Sequence, residues 1–541
     1  MTNREFADYL FPDCKEVAYY EEKYPNRNLK EGAMVTRFAP SPTGFVHMGS
    51  LFAAFISNQY AKQTGGVFYL RIEDTDQKRM VENGITGIIN DLSAFDFDIK
   101  EDPIQGGKYG PYIQSERREI YQAYVKKLIQ EGKAYPCFCT EQELQDLRKM
   151  QEENKERIGY YGAYAKYRNV DLEEAKKLIE QKVPYVIRLK SNGNFQNTIV
   201  LNDCIKGKVE FPENDMDIVL LKQDGLPTYH LAHVIDDHLM HTTHVIRGDE
   251  WVSSYPIHYD LFHTFGFPMP KYAHIAPLTK KENETVRKLS KRYDPECSIT
   301  YYEKTGIPKE AVKLYLATLM NSNFEEWYSQ NPDKTIDDFT FTFEKMAIGG
   351  SLFDLQKLES ISKIYFSSLK AEEVYEKSLP YMKEYYPDFY HILKQNKEYS
   401  IQVFDIERGG ERPRKDLSSY SDILKYHGYM FDEFFFQEPY KNVEEHYDTA
   451  ILKEYLSVYR EESEEEWFQH LKECAEKCGY ATNRKEYKLH PEEYKGNLNL
   501  FCEIIRVAIT GMKDSPNLYY LLKLLGKERI EKRFQSFIER N

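Results

Sequence analysis

The sequence predicts an α/β chain built on a parallel sheet, interrupted by an insertion and followed by a helical half. Three observations predict it. Met34 to Gln63 reads as strand, rigid loop and helix, and Val67 to Ile72 is a continuous apolar run of the kind found in a parallel strand covered on both faces. After Arg292 the pattern changes to helices with few strands.

Residues 1–33 form a polar, partly helical lead-in with Tyr19, Tyr20 and Tyr24, broken by Pro25, and carry no assigned function. Met34 to Ala39 is a short buried strand. Pro40 and Pro42 forbid both a continuing ladder and an early helix, and Gly44 allows a tight turn. From His47 to Gln63, Leu51, Phe52, Phe55, Ile56 and Tyr60 recur at helical spacing. This layout aims the first N–H groups of a helix and the His47 imidazole at the carboxyl end of the strand, where a phosphate would fit. Gly65-Gly66 turns the chain into the second strand, which ends at Glu73-Asp74-Thr75-Asp76. A carboxylate there sits in the crevice where open α/β sheets bind ligands, although Asp74 or Asp76 could equally cap the next helix.

Helices are expected over Val81–Phe95 and Ser115–Glu131. Residues from about 113 to 225, strand-rich between Pro184 and Glu210, read as an insertion, and the βα rhythm resumes at Ile218–Leu221. Cys137 and Cys139 suggest a zinc knuckle, but two thiols leave a four-ligand site incomplete, so zinc is not expected. Helix, turn and strand follow over Gly225–His238 and Thr243–Trp251. The histidines at 230, 233, 238, 241 and 244 lack metal-ligand spacing. His274–Leu278 is a last buried strand. Beyond it, Lys288 and Lys291 flank a small hydroxyl residue on a loop able to close over a polyphosphate.

Length and composition bound the answer. With 541 residues, 30% of them charged, and a mean hydropathy of -0.66, the chain is long enough for several cores, and no apolar run approaches membrane-spanning length. The N-terminus shows no basic region followed by an apolar one, and the eight cysteines are scattered, so a cytoplasmic, reducing address is expected. The net charge of -14 does not announce a nucleic-acid binder. Phosphate contacts depend on local clusters instead, and Lys280–Arg292, Arg408–Lys415 and Lys527–Arg533 are candidates, each also readable as a solvated face.

Arg37-Phe-Ala-Pro-Ser-Pro-Thr-Gly44 with His47-Met48-Gly49-Ser50 closely resembles the first catalytic motif of class I aminoacyl-tRNA synthetases, in the form carried by bacterial-type glutamyl-tRNA synthetases. Lys288-Leu289-Ser290-Lys291-Arg292 resembles the second, usually written Lys-Met-Ser-Lys-Ser. Ile348–Leu358 and the tail Ile504–Lys527 are also similar to that family, whereas residues between Ser360 and Leu500 resemble it weakly. Many members carry a further cysteine where Tyr164 stands.

The resemblance implies a Rossmann-type catalytic domain in two halves (34–112 and 226–283), split by an α+β acceptor-binding insertion (113–225). A lysine-motif loop and stem-contact domain (284–365) and an all-α anticodon-binding region (366–541) would follow, with 1–33 as an N-terminal extension. It also implies a reaction: glutamate and ATP give glutamyl-adenylate and pyrophosphate, and the glutamyl group passes to the terminal ribose of tRNA(Glu). His47, Lys288 and Lys291 would be catalytic. Thr43, Gly44, Gly49, Ser50 and Glu250 would hold ATP together with His47 and Lys288, Leu289, Ser290, Lys291 and Arg292. Glutamate would meet Arg37, Ser41, Glu73, Tyr229, His233 and Arg247, with Glu73 on its amino group. Two cationic groups and one anionic group suit a substrate with two carboxylates and one ammonium. Mg²⁺ would share the phosphate charge, with no resident metal; the enzyme would be a monomer with no membrane partner. A non-discriminating enzyme that also charges tRNA(Gln), a catalytically silent tRNA-binding paralogue and a small-molecule nucleotidyltransferase remain open alternatives.

Overall fold

The computed structural model describes residues 1–410, 413–440, 443 and 446–540, so positions 411 and 412 of the basic segment Arg408–Lys415 lie outside the described residues. The chain divides into two compact units: residues 1–301 with 313–354, and residues 302–312 with 355–541.

In the first unit, helices α1 (Asn3–Leu10) and α2 (Val17–Lys23) precede strand β1 (Val35–Phe38), helix α3 (Met48–Gln63), strand β2 (Val67–Leu70), helix α4 (Gly84–Ala94) and strand β3 (Ile99–Glu101). β1, β2 and β3 are parallel neighbours, as the apolar runs predict. α3 is buried along almost its whole length because it carries apolar residues on all faces. Gly66 is fixed by packing: a Cβ there would be driven into the Met34 carbonyl. Gly66→Ala is expected to cost about 1–3 kcal/mol through overpacking, read as a lower denaturant midpoint at unchanged slope.

The lead-in is integral to this core. Phe6, Tyr20 and Tyr24 are buried in one cluster with Tyr121 and Tyr124 of helix α5 (Arg118–Gln130). Arg27 grips Glu101 with both nitrogens at 2.7 and 2.8 Å. Strand β4 (Ala134–Cys137), helices α6 (Glu141–Glu153) and α7 (Leu172–Glu180), and strands β5 (Val186–Leu189), β6 (Thr198–Asp203), β7 (Gly207–Pro212) and β8 (Val219–Leu221) form the inserted region. β8 corrects one expectation. It pairs antiparallel with β5 in the sheet β4-β5-β8, so the parallel pattern does not resume at Ile218–Leu221. An apolar run of four residues fixes strand character but not the partner.

The parallel pattern resumes later, with helix α8 (Tyr229–Leu239), strand β9 (His244–Gly248), helix α9 (Tyr255–Phe265) and strand β10 (Lys271–Ile275), β9 and β10 being parallel. Thr243 N–H donates to Val35 O at 3.0 Å, seating this pair beside β1. Strands β11 (Thr279–Glu282) and β12 (Thr285–Lys288) make a hairpin, so the loop expected to carry Lys288 and Lys291 begins only after Lys288.

Among the described residues the second unit is helical apart from a two-residue pairing of Tyr480–Ala481 with Gly496–Asn497. Its C-terminal helices bury Phe501, Ile505, Leu521, Leu522 and Phe534, and the buried Arg533 donates to Asp432 at 2.6 Å. Among the described residues no helix is long and apolar enough to cross a membrane.

Candidate functional site

The carboxyl ends of β1, β2, β9 and β10 open onto one cavity of about 470 Å³. The Pro40–Val46 loop cannot continue β1 because of its prolines, so it curls over this end and delivers His47 as the N-cap of α3. His47 Nδ1 accepts the Ser50 backbone N–H at 3.2 Å, and its Nε2 lies 3.0 Å from Ser50 Oγ. Burial, with Lys291 and Lys288 nearby, pushes His47 down to about 4. The ring is therefore neutral near pH 7, with Nε2–H as its donor.

The hairpin β11–β12 brings the second motif to the same rim. Lys288, Leu289 and Lys291 line the cavity with Thr43, Gly44, Gly49 and Ser50. Lys291 Nζ donates to Phe45 O at 2.7 Å, a direct contact between segments more than two hundred residues apart in sequence. Ser290 and Arg292 are not among the lining residues. Ser290 N–H caps Asp294 Oδ2 at 2.9 Å, and the exposed Arg292 lies beside the Tyr293 ring.

The same cavity is lined by Arg37, Ser41, Glu73, Tyr229, Arg247, Glu250 and Trp251. Arg37 is nearly buried, donates to Ile246 O at 3.2 Å and faces Asp237 at 3.4 Å. Glu73 is ion-paired with the fully buried Arg71 at 3.0 Å, which also holds Asp237 at 2.7 Å. Burial raises the Glu73 carboxyl, and Arg71 and Arg37 oppose that rise. Arg247 differs: Nε donates to His274 Nε2 at 3.0 Å, Nη1 to Tyr229 Oη at 3.2 Å and Nη2 to Trp251 O at 3.1 Å. None of these acceptors is charged.

His233 does not reach the cavity. It is fully buried behind Tyr229, with Nδ1 3.0 Å from Asp237 and Nε2 3.0 Å from Tyr272 Oη. Sequence reasoning missed Arg71, Asp237, Trp251 and His274. Arg71 did carry a signal, because an arginine within a buried apolar strand requires a partner. Cys137 and Cys139 both reach the Tyr160 hydroxyl, at 3.5 and 3.6 Å, and Tyr164 donates instead to Glu156.

Residues 33–359 match the family described as tRNA synthetases class I (E and Q), catalytic domain, and residues 414–538 match an anticodon binding domain. The glutamate–tRNA ligase of Acetivibrio thermocellus is 46% identical over 99% of this chain and 100% of its own length. That of Clostridium beijerinckii is 44% identical over the same shares. A crystal structure of a glutamate tRNA ligase from Elizabethkingia meningosepticum in complex with its amino acid superposes with a TM-score of 0.75 at 28% identity, covering 94% of this chain and 99% of that one.

Proposed function

We propose a division of labour among the residues of this chain, which belongs to the class I tRNA synthetases of the glutamate and glutamine (E and Q) group and is a glutamate–tRNA ligase. The enzyme needs no protein nucleophile. The glutamate α-carboxylate attacks the α-phosphate of ATP, so the protein positions two anions and stabilises the charge that spreads over phosphate oxygens. His47 Nε2–H and the first N–H groups of α3 donate to those oxygens, Ser50 orients the imidazole, and Lys288 and Lys291 neutralise the departing pyrophosphate. Thr43, Gly44 and Gly49 let the nucleotide approach the backbone, and Glu250 takes part in its binding.

At the other end, Arg37 and Arg247 receive the carboxylates of glutamate, and Glu73 receives its ammonium with Ser41 and Tyr229 as hydrogen-bond partners. One observation carries this reading: Arg247, held entirely by uncharged acceptors, opens on the same cavity as His47 and both lysines. Charging of purified tRNA(Glu) with labelled glutamate tests it; failure to form glutamyl-tRNA would restore the silent-paralogue reading.

In this reading Mg²⁺ arrives with the triphosphate, where it would neutralise phosphate charge. The reading places the enzyme in the cytoplasm as a monomer. Residues 113–225 hold the acceptor end, residues 284–365 the lysine-motif loop and stem contact, and the helical region from 366 the anticodon.

Within the second unit a cavity of about 820 Å³ is lined by Arg414, Arg506, Trp467 and Phe468 together with the carboxylates Glu407, Glu464 and Glu465, with Arg506 Nε bonded to Ser515 Oγ at 2.9 Å. Aromatic faces beside arginines suit unstacked bases. Arg506→Ala is expected to raise KM for tRNA about 5- to 150-fold, from about 1–3 kcal/mol per base contact, with KM for glutamate unmoved. Charging tRNA(Glu) and tRNA(Gln) side by side decides whether the enzyme discriminates between them.

A further inference from the structure

Arg247 is the cation in the glutamate end of the cavity that has no acidic partner among the described residues, in contrast to Arg37, which faces Asp237, and Arg71, which holds both Asp237 and Glu73. What holds it instead is a set of neutral lone pairs. His274 Nε2 accepts from Nε at 3.0 Å, His258 Nδ1 lies 3.3 Å from Nη1, Tyr229 Oη accepts from Nη1 at 3.2 Å, and Trp251 O accepts from Nη2 at 3.1 Å. The arrangement begins in the backbone, because Arg247 and His274 are register partners on the parallel strands β9 and β10.

An imidazole can accept from Arg247 only if the proton is on its other nitrogen. Asp203 supplies that condition. Its Oδ2 lies 2.7 Å from His274 Nδ1, and its oxygens also accept the backbone N–H groups of Ile205 and Lys206 at 2.9 Å and of His274 at 3.1 Å. Asp203 closes β6 in the inserted region, so a carboxylate some seventy positions away in sequence fixes the tautomer. Burial, seconded by the neighbouring Arg247 and opposed by the Asp203 hydrogen bond, lowers the His274 imidazole below its ordinary range. The carboxylate therefore orients the guanidinium through one imidazole without touching it. A carboxylate in direct contact would cancel the charge on which a choice of glutamate over its uncharged amide depends.

We propose that Asp203 and His274 are positioning residues that present the guanidinium of Arg247 to the cavity in fixed orientation and with its charge unneutralised, and so set the preference for glutamate over glutamine. The proposal rests on the reading of Arg247 as a carboxylate-binding group.

The test is steady-state aminoacylation by the full chain with tRNA(Glu), varying labelled glutamate, labelled glutamine and ATP in turn. His274→Leu removes the acceptor and is expected to raise KM for glutamate about tenfold or more and to lower the glutamate-over-glutamine ratio, while KM for ATP stays within about twofold. His274→Gln can accept from Arg247 and donate to Asp203 together, and is expected to return KM for glutamate to within about threefold of the parent. Asp203→Asn weakens the hold on the tautomer and should fall between the two. If His274→Leu does not melt cooperatively, the isosteric Asp203→Asn decides alone. An unchanged KM for glutamate, equal loss for glutamate and ATP, or no rescue by His274→Gln overturns the proposal. Arg247→Ala separates the two levels: a parental KM for glutamate in that variant overturns the underlying reading, whereas its collapse beside parental Asp203 and His274 variants overturns only this inference.

Discussion

Arg247→Ala is expected to lower kcat/KM for glutamate by about 30- to several-thousand-fold, corresponding to the loss of about 2–5 kcal/mol when one partner of a buried charge pair is truncated. The magnitude follows from burial. Arg247 is nearly inaccessible to solvent, so a substrate carboxylate that has left water would find no replacement for the missing guanidinium. KM for ATP should stay within about twofold, because the proposed reading assigns the nucleotide to other residues, His47, Lys288 and Lys291 among them. The decisive measurement is aminoacylation with tRNA present at saturating ATP, alongside a thermal melt. A folded variant with near-parental charging would remove Arg247 from the site.

Joint replacement of Lys288 and Lys291 by alanine is expected to lower kcat by about 10²- to 10³-fold while KM for glutamate changes little, since these ammonium groups act on charge that develops as pyrophosphate departs. His47 contributes differently because it is neutral. With its folded value at about 4 rather than the usual 6.5, the ring in the free enzyme does not titrate between pH 5.5 and 8, so kcat/KM should show no acid limb from it near pH 6.5. The linkage has the same sign for stability: an imidazole that protonates less readily when folded costs nothing above pH 6.5 and withdraws stability as pH falls from 6.5 toward 4. His47→Asn, which keeps an uncharged donor, should retain more activity than His47→Ala. A stopped-flow or steady-state pH profile of both variants checks this.

Much of the fold was legible because its signals are local. The prolines at 40 and 42, the helical spacing from Leu51 to Tyr60 and the apolar run from Val67 to Ile72 depend only on backbone sterics and on side-chain periodicity, and the structure has β1, α3 and β2 at those places. The signal failed at Ile218–Leu221, where strand character was right and sheet membership was not, because pairing is settled by partners distant in sequence. The lead-in carried no readable purpose for a similar reason. Its buried Tyr24 and the Arg27–Glu101 pair acquire meaning only once β3 and α5 lie against them.

For the candidate site, sequence supplied the residue types at the two motifs and at Arg37, Glu73, Tyr229 and Arg247, since their order along the chain is a pattern in one dimension. It also placed His233 with them, and the structure seats that ring behind Tyr229 instead. Only the folded chain decided how charge is distributed among these groups. Whether an arginine is neutralised by Asp237, as Arg37 and Arg71 are, or left to uncharged acceptors, as Arg247 is, depends on contacts of a few ångströms between strands, helices and an insertion. Electrostatic energy varies steeply with such distances in a low-dielectric interior, and sequence spacing does not encode them.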